Sequence, residues 1–364
     1  MSQLPRVIFG PEIWSLQSEG GISRYFQQLI KGLSESGTSG RILTNTNSNP
    51  RLETLDVKNF QFDGLQNTKD IYKEISNILG GEIGRSVFHP TYYSRNHAKI
   101  RTPRTKVVLT VFDMISELFP EKKPRFRKVV DDKRISVATA HHILSISEQT
   151  KKDLIDIYGV PEDKISVTYL GSNLHLLPKV DVGGLTGGEF ILYVGKRGGY
   201  KNFSNFVTAF SHSKLLKANF VIIAVGGGNF NSSEISELRK LGIHDKVTHL
   251  DANDHILAML YRKAVCLVYP SIYEGFGLPP VEAMSLNCPV IASSGGSIPE
   301  ICKNAAEYFD PRNIDSIEQV LTDALDDQQR IDQMRQEGLK VAKSFTWDRT
   351  VLDTLNSYKR ILES

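Results

Sequence analysis

A chain of 364 residues exceeds one ordinary domain of roughly 100 to 200 residues and has room for two hydrophobic cores. Hydrophobic residues at 40% and charged residues at 23% exclude a disordered or fibrous chain, and a net charge of +3, from 44 basic against 41 acidic residues, excludes a dedicated nucleic-acid binder. No apolar run approaches the roughly 18 residues of a membrane helix, and the opening MSQLPRVIFG is too short and polar for a secretory signal, so the chain is expected to stay in the cytoplasm, with peripheral contact at the membrane face as a further expectation.

Along the chain, short runs rich in Val, Ile and Leu alternate with longer helical patterns, as in parallel sheets covered on both faces. RVIFG opens the series and leads to Gly20 and Gly21, directly before a helix expected over about 22–33. That loop can bring backbone N–H groups close to an anion; a plain tight turn is the competing account, and the GxGxxG fingerprint of nicotinamide enzymes is absent. His89 in VFHP lies beyond a strand end and either packs in the core or lines a site, while His141 and His142 read as structural. KVVLTVFD, HHILSIS and KISVTYL continue the strands, with helices near 126–139 and after Ser147, a serine N-cap before EQTKKDLIDIY. The basic stretch EKKPRFRKVVDDKR, residues 121–134, reads as a solvated helix end, with anionic lipid headgroups as the alternative partner.

Four glycines in PKVDVGGLTGGE, residues 178–189, mark a linker, and a second series follows in FILYVG, FVIIAVGGG, KVTHLD, VCLVYP and PVIAS. Both halves therefore read as doubly wound α/β units that bind ligands at the carboxyl ends of their strands. YVGKRGGYKNF sets Lys196, Arg197 and Lys201 just past such an end, where three cations suit a diphosphate. A solvated helix start with ordinary surface charge is the competing reading. In YEGFGLPPVEAM, Glu274 and Glu282 bracket a loop whose N–H groups, Gly275 to Leu278, can approach a ligand, with a helix expected near Pro280 and Glu282 in its first turn; a helix-capping Glu282 and an exposed loop Glu274 are the competing account. Cys266, Cys288 and Cys302 lack CxxC spacing and read as reduced structural thiols, and FTWDRTVLDTLNSYKRILES reads as a terminal helix. No Asp-x-Asp, HExxH or Gly-x-Ser-x-Gly pattern supplies machinery for metal-dependent transfer or serine hydrolysis.

These segments, EGGISRYF, SISEQTKKDLIDIYGVPEDKISVTYLG, YVGKRGGYKN, SIYEGFGLPPVEAM and GGSIPEI, run in one order over nearly the whole chain, and with them the sequence resembles the retaining nucleotide-sugar glycosyltransferases of family 4. The resemblance implies the GT-B fold, two Rossmann-like parallel-sheet domains facing across a cleft, at 1–178 and 187–344, with the helix at about 345–364 packing back onto the first. It implies that Glu282 holds the donor ribose and that Glu274 lies by the transferred sugar. The backbone of Gly275, Phe276, Gly277 and Leu278 would face sugar and phosphates, and Lys196 and Lys201, with Arg197 sharing the task, would grip the diphosphate. Many members carry a His-Asp pair where this chain has Phe112 and Asp113, so Asp113 is carried over while the imidazole is not. The mechanism implied is transfer with retention through an oxocarbenium-like state, with no metal or protein nucleophile, the leaving phosphate accepting the acceptor proton. Sequences with the GGISRYF opening look most like bacterial mannosyltransferases of polysaccharide assembly. That favours GDP-mannose as donor and a glycan or lipid-linked acceptor, with a UDP- or dTDP-sugar transferase, a GT-B epimerase or phosphorylase, and a non-catalytic sugar-nucleotide-binding subunit as alternatives.

Overall fold

The computed structural model describes residues 4–17, 20–45, 52, 55–65, 71–81, 85–100, 104–120, 124–179 and 188–363. Most of the expected linker, 180–187, and the first residues of the basic stretch, 121–123, lie outside the described residues. The chain forms two compact units, Met1–Leu170 with Trp347–Ser364, and Gly171–Thr346. The first crossing thus comes at 170/171, before residue 178, because residues 171–179 bond within the second unit: Ser172 N–H donates to Phe345 O at 3.2 Å and Arg262 Nη2 to Leu177 O at 2.8 Å.

In the first unit the described residues form seven strands: Arg6–Phe9 (β1), Ser39–Asn45 (β2), Phe60–Leu65 (β3), Ser86–His89 (β4), Thr105–Val111 (β5), His142–Ser145 (β6) and Ile165–Val167 (β7). All pair in parallel in the order β3-β2-β1-β4-β5-β6-β7. Strands β2 and β3 escape the sequence pattern. β3 forms the outer edge and buries only its terminal Phe60 and Leu65, while β2, SGRILTN, brings only Ile42 and Leu43 as apolar side chains, so no continuous apolar run develops in either. The helix after β1 spans Gly21–Glu35, and Ser147 caps Glu148–Tyr158 through its hydroxyl, which accepts from Thr150 N–H at 3.0 Å. The terminal helix Trp347–Glu363 lies against Gly21–Glu35, where a β-carbon on Gly32 would meet Val351 at 2.5 Å. Among the described residues no helix is long and apolar enough to cross a membrane.

The terminal helix also explains His89. Its ring is fully buried at the end of β4, with Nδ1 at 2.5 Å from Tyr358 Oη and Nε2 at 2.9 Å from Thr110 Oγ1, so it is a core group and lines no site. Burial drops its pKa from 6.5 to about 3, and burial followed by the Arg360 charge drops His142 to about 4. A depressed folded-state value means that above pH 6.5 both states are neutral and stability is whole. Below pH 6.5 the unfolded chain takes up protons that the folded chain refuses. Stability is therefore expected to fall between pH 6.5 and about 4 by about 1.4 kcal/mol per pH unit for each histidine. Urea melts of the wild type and His89→Gln over this range check it; equal slopes for the two proteins refute the role of His89.

The second unit holds Phe190–Val194 (β8), Val221–Val225 (β9), Val247–Leu250 (β10), Cys266–Tyr269 (β11), Val290–Ser293 (β12) and Ala306–Phe309 (β13). They run parallel in the order β10-β9-β8-β11-β12-β13. A core of Tyr193, Phe203, Phe206 and Phe210 with aliphatic partners from β9, β11 and β12 fills the layer between sheet and helices. Cys266, Cys288 and Cys302 are buried free thiols, and burial pushes the last two up to about 12.

Candidate functional site

In each sheet the strand order reverses once, between β1 and β4 in the first unit and between β8 and β11 in the second. Loops leaving the carboxyl ends on either side of such a reversal diverge to opposite faces and open a crevice for a ligand. In the second unit the loop after β8 carries Lys196 to Lys201 and the loop after β11 carries Glu274, so two motifs separated by more than seventy residues of sequence arrive at one switch point.

There Lys201 Nζ lies 2.6 Å from Glu274 Oε1, with the Glu274 carboxylate almost wholly buried and the ammonium over the Tyr200 and Tyr269 rings at 5.3 and 5.7 Å. Burial first, and the Glu274 charge second, hold the Tyr269 phenol well above its ordinary value. Asn202 fixes the lysine loop. In a left-handed conformation, φ 59°, it donates through Nδ2 to Pro270 O at 3.1 Å and Pro311 O at 2.6 Å, while Ile272 N–H donates to Tyr200 O at 2.7 Å.

The three cations of KRGGYK separate. Lys196 is exposed at the loop surface, and Lys201 is half-buried against Glu274. Arg197 departs from the expected share in a diphosphate: its guanidinium is buried and committed to the protein. Nε donates to Glu234 Oε1 at 2.8 Å, Nη1 to Gly226 O at 2.6 Å and Nη2 to Asn229 O at 3.1 Å, with the guanidinium 4.6 Å from the Phe230 ring centre. Burial works to raise the Glu234 carboxyl, but the Arg197 bonds and the Asn231 N–H together outweigh it and the group sits below its ordinary value. Arg197 thus ties the loop after β8 to the glycine turn after β9, in which Gly226, Gly227 and Gly228 all take positive φ.

Glu282 differs from expectation in position. The helix spans Leu278–Ser285 with Gly277 as N-cap at φ 106°, so Pro279 and Pro280 fill the second and third positions and Glu282 belongs to the second turn. Prolines are tolerated there because N–H groups of the first turn have no helical partner. The Glu282 side chain is buried, and its Oε2 accepts from the fully buried Tyr261 hydroxyl at 3.1 Å. The Phe276 ring turns inward against Phe345, 5.6 Å between centroids.

The sequence reading assigned no role to the residues beneath this loop. The Ser297 hydroxyl lies 2.9 Å from Glu274 O and 2.8 Å from Phe276 O. Gly296, φ 59°, leaves no room for a side chain, because a β-carbon would meet Glu274 N at 2.7 Å. The doublet of glycines before Ser297 and Pro299 was the signal of a tight approach of backbone to backbone.

Gly20, Gly21 and Asp113 belong to the first unit. Gly20 is the N-cap of Gly21–Glu35, and a β-carbon on Gly21 would touch nothing within 4 Å. Asp113 turns the chain after β5: Oδ1 accepts from Ile115 N–H at 3.0 Å, and its carbonyl accepts from Lys133 Nζ at 2.9 Å. Phe112 sits in an aromatic cluster, edge-on to Tyr25 with centroids 5.2 Å apart. Beside the β1/β4 reversal lies a cavity of about 470 Å³ whose lining includes Glu12, Gln17, Tyr72, Tyr92, Tyr93 and Asp132. Glu12 is held rigidly, Oε1 at 3.0 Å from His97 Nε2 and Oε2 accepting from Thr91 N–H at 2.9 Å. Burial and then Glu12 raise the Tyr72 phenol. Within the basic stretch, Lys133 is buried against Glu117 and Arg134 stacks on Tyr158, so it is no uniform charged face.

Comparison with known proteins converges on one family. The model described as Glycosyltransferase Family 4 matches residues 19–176, and the one described as Glycosyl transferases group 1 matches residues 181–341. O-antigen chain mannosyltransferase B of Escherichia coli is 29% identical over 267 residues, 70% of this chain and 70% of that protein. O-antigen chain mannosyltransferase RfbU of Salmonella typhimurium is 33% identical over 209 residues, 56% of each chain. Sucrose-phosphate synthase from Thermosynechococcus elongatus superposes with TM-score 0.78 at 18% identity, over 99% of this chain and 100% of that one. Anabaena HepE, solved with UDP and glucose, superposes with TM-score 0.78 at 13% identity, over 98% and 100%. At such identities the structural likeness shows the fold, and the fold is GT-B.

Proposed function

The chain belongs to glycosyltransferase family 4, and we propose that it transfers mannose from GDP-mannose, with retention at the anomeric carbon, to a glycan or lipid-linked acceptor in cell-surface polysaccharide synthesis. The observation that carries the reading is the meeting of Lys201, Glu274 and the exposed Lys196 at the β8/β11 switch point. Mannosyltransferases among the relatives favour mannose over other hexoses.

In this reading Glu274 orients sugar hydroxyls, and Lys201, which uses one of its three N–H donors on Glu274, turns the others to the diphosphate together with Lys196. Charge developing on the leaving phosphate is then met by preorganised cations, and that phosphate takes the acceptor proton on the same face. No metal is required for this charge balance. Glu282, steadied by Tyr261, accepts from the ribose hydroxyls, and the backbone from Gly275 to Leu278 faces the sugar and phosphates. Arg197 shapes the site from behind and does not touch the phosphates. Asp113 and the backbone of Gly20 and Gly21 are kept as the sugar- and anion-contact candidates of the first unit. The cavity of Glu12, Asp132 and three tyrosines there receives the acceptor's terminal sugar, since aromatic faces and carboxylates suit C–H and hydroxyl groups.

A nucleotide melting screen tests the donor. GDP is expected to stabilise the protein by about 2.7 kcal/mol at a hundredfold excess over Kd, and Glu282→Ala to abolish most of the shift. A larger shift with UDP or dTDP sinks the guanine preference, and flat responses to every nucleotide sink the donor site. Incubation with GDP-mannose and a mannose-terminated acceptor then separates transfer from its rivals. Epimerised nucleotide sugar identifies an epimerase, and nucleotide binding without turnover identifies a binding subunit.

A further inference from the structure

The second unit holds a cavity of about 570 Å³ at the end of the sheet opposite the Glu274 loop. Its walls come from Arg262 and Lys263, which close the helix Asp254–Lys263 ahead of β11, and from Ser285 to Asn287, ahead of β12. His175 and Lys179 complete it from a separate stretch of chain, over a floor of Met259 and Leu286. Among the described residues no carboxylate lines it, and neither Lys179 nor Lys263 forms an ion pair. Arg262 Nη2 donates to Leu177 O at 2.8 Å, while Nη1 is buried without a hydrogen-bond partner, which a native interior rarely leaves uncompensated.

Cations in the last turn of a helix commonly complement its carbonyl end, and that accounts for Arg262 and Lys263 alone. It does not account for His175 and Lys179 facing the same space, nor for an orphaned guanidinium nitrogen. Leu176, beside them, is 73% exposed.

We propose that this cavity binds a phosphate-bearing anion, held by Arg262, Lys263, Lys179 and His175, at a second site remote from the donor. The phosphate belongs either to a soluble anion or to a lipid headgroup, with Leu176 entering the interface in the second case. The inference stands independently of the donor reading.

The test uses the full chain in two arms: calorimetric titration with inorganic phosphate, and co-sedimentation with phosphatidylglycerol against phosphatidylcholine vesicles. Binding is expected in at least one arm and to weaken by about tenfold in Arg262→Gln and in the doubly reversed Lys179→Glu/Lys263→Glu, whose two sites are exposed and outside the core. Lys201→Ala is expected to keep it. Phosphate binding alone identifies a soluble ligand; retention on phosphatidylglycerol alone identifies a headgroup. No binding in either arm overturns the proposal, as does unchanged binding by the double variant or equal loss in Lys201→Ala, which would place the anion at the donor site.

Discussion

Replacing Lys201 by alanine is expected to lower kcat/KM for the nucleotide sugar by about a hundredfold to a thousandfold, the usual cost of removing one preorganised group that meets developing charge. The loss has two sources. The diphosphate loses a cation held in place by the loop that Asn202 ties to Pro270 and Pro311, and Glu274 is left buried without its partner at 2.6 Å. Because the leaving group is more highly charged in the transition state than in the bound donor, kcat falls more than KM rises. Lys201→Arg keeps the charge but displaces it, and recovers part of the activity. A Lys201→Ala enzyme within about threefold of wild type would remove this residue from the mechanism. Arg197→Lys separates the two neighbouring cations: a purely shaping role predicts a lowered melting temperature and weaker donor binding, with kcat at saturating donor nearly preserved.

Lys133→Met is expected to destabilise the protein by about 3–5 kcal/mol, the largest stability loss anticipated for a single side chain of the first unit. Lys133 is 1% exposed at its side chain and Glu117 5%, with 2.8 Å between Nζ and Oε2, and the Tyr158 hydroxyl donates to Oε1 at 2.5 Å. Removing the lysine strands the carboxylate in the interior, and only the tyrosine remains to solvate it. The Asp113 turn loses its clamp as well, so activity falls with stability. Lys133→Met/Glu117→Leu removes both charges and is expected to recover most of the loss, because a buried ion pair and a well-packed apolar pair of similar volume are close in free energy. Chemical denaturation of the two variants decides it: a double variant no more stable than the single one refutes the stranded-charge explanation.

The motifs of the second unit were legible because their chemistry is local. Strand, glycine loop and helix start follow one another in YEGFGLPPVEAM, and the helix begins within two residues of the expected proline. The bonding of Arg197 within the protein was not legible for the opposite reason. Adjacent residues of a loop can face opposite sides, and whether a cation meets solvent or a carboxylate of the protein depends on Glu234, thirty-seven residues away. The edge strand β3 was missed because exposure dilutes the apolar run on which a buried strand is recognised, and β2 because only Ile42 and Leu43 in SGRILTN are apolar.

Taken alone, the sequence determined the alternation of strand and helix, the room for two cores, the residue types of the donor motifs and the family resemblance. All of these rest on periodicity and on spacings of a few residues. Only the tertiary structure decided that β8 and β11 are neighbours, which sets Lys201 on Glu274, and that β1 and β4 are, which gathers Glu12, Tyr72 and Tyr92 around one cavity. Strand order and the partner of a buried charge are non-local quantities, fixed by which faces the whole chain can bury together.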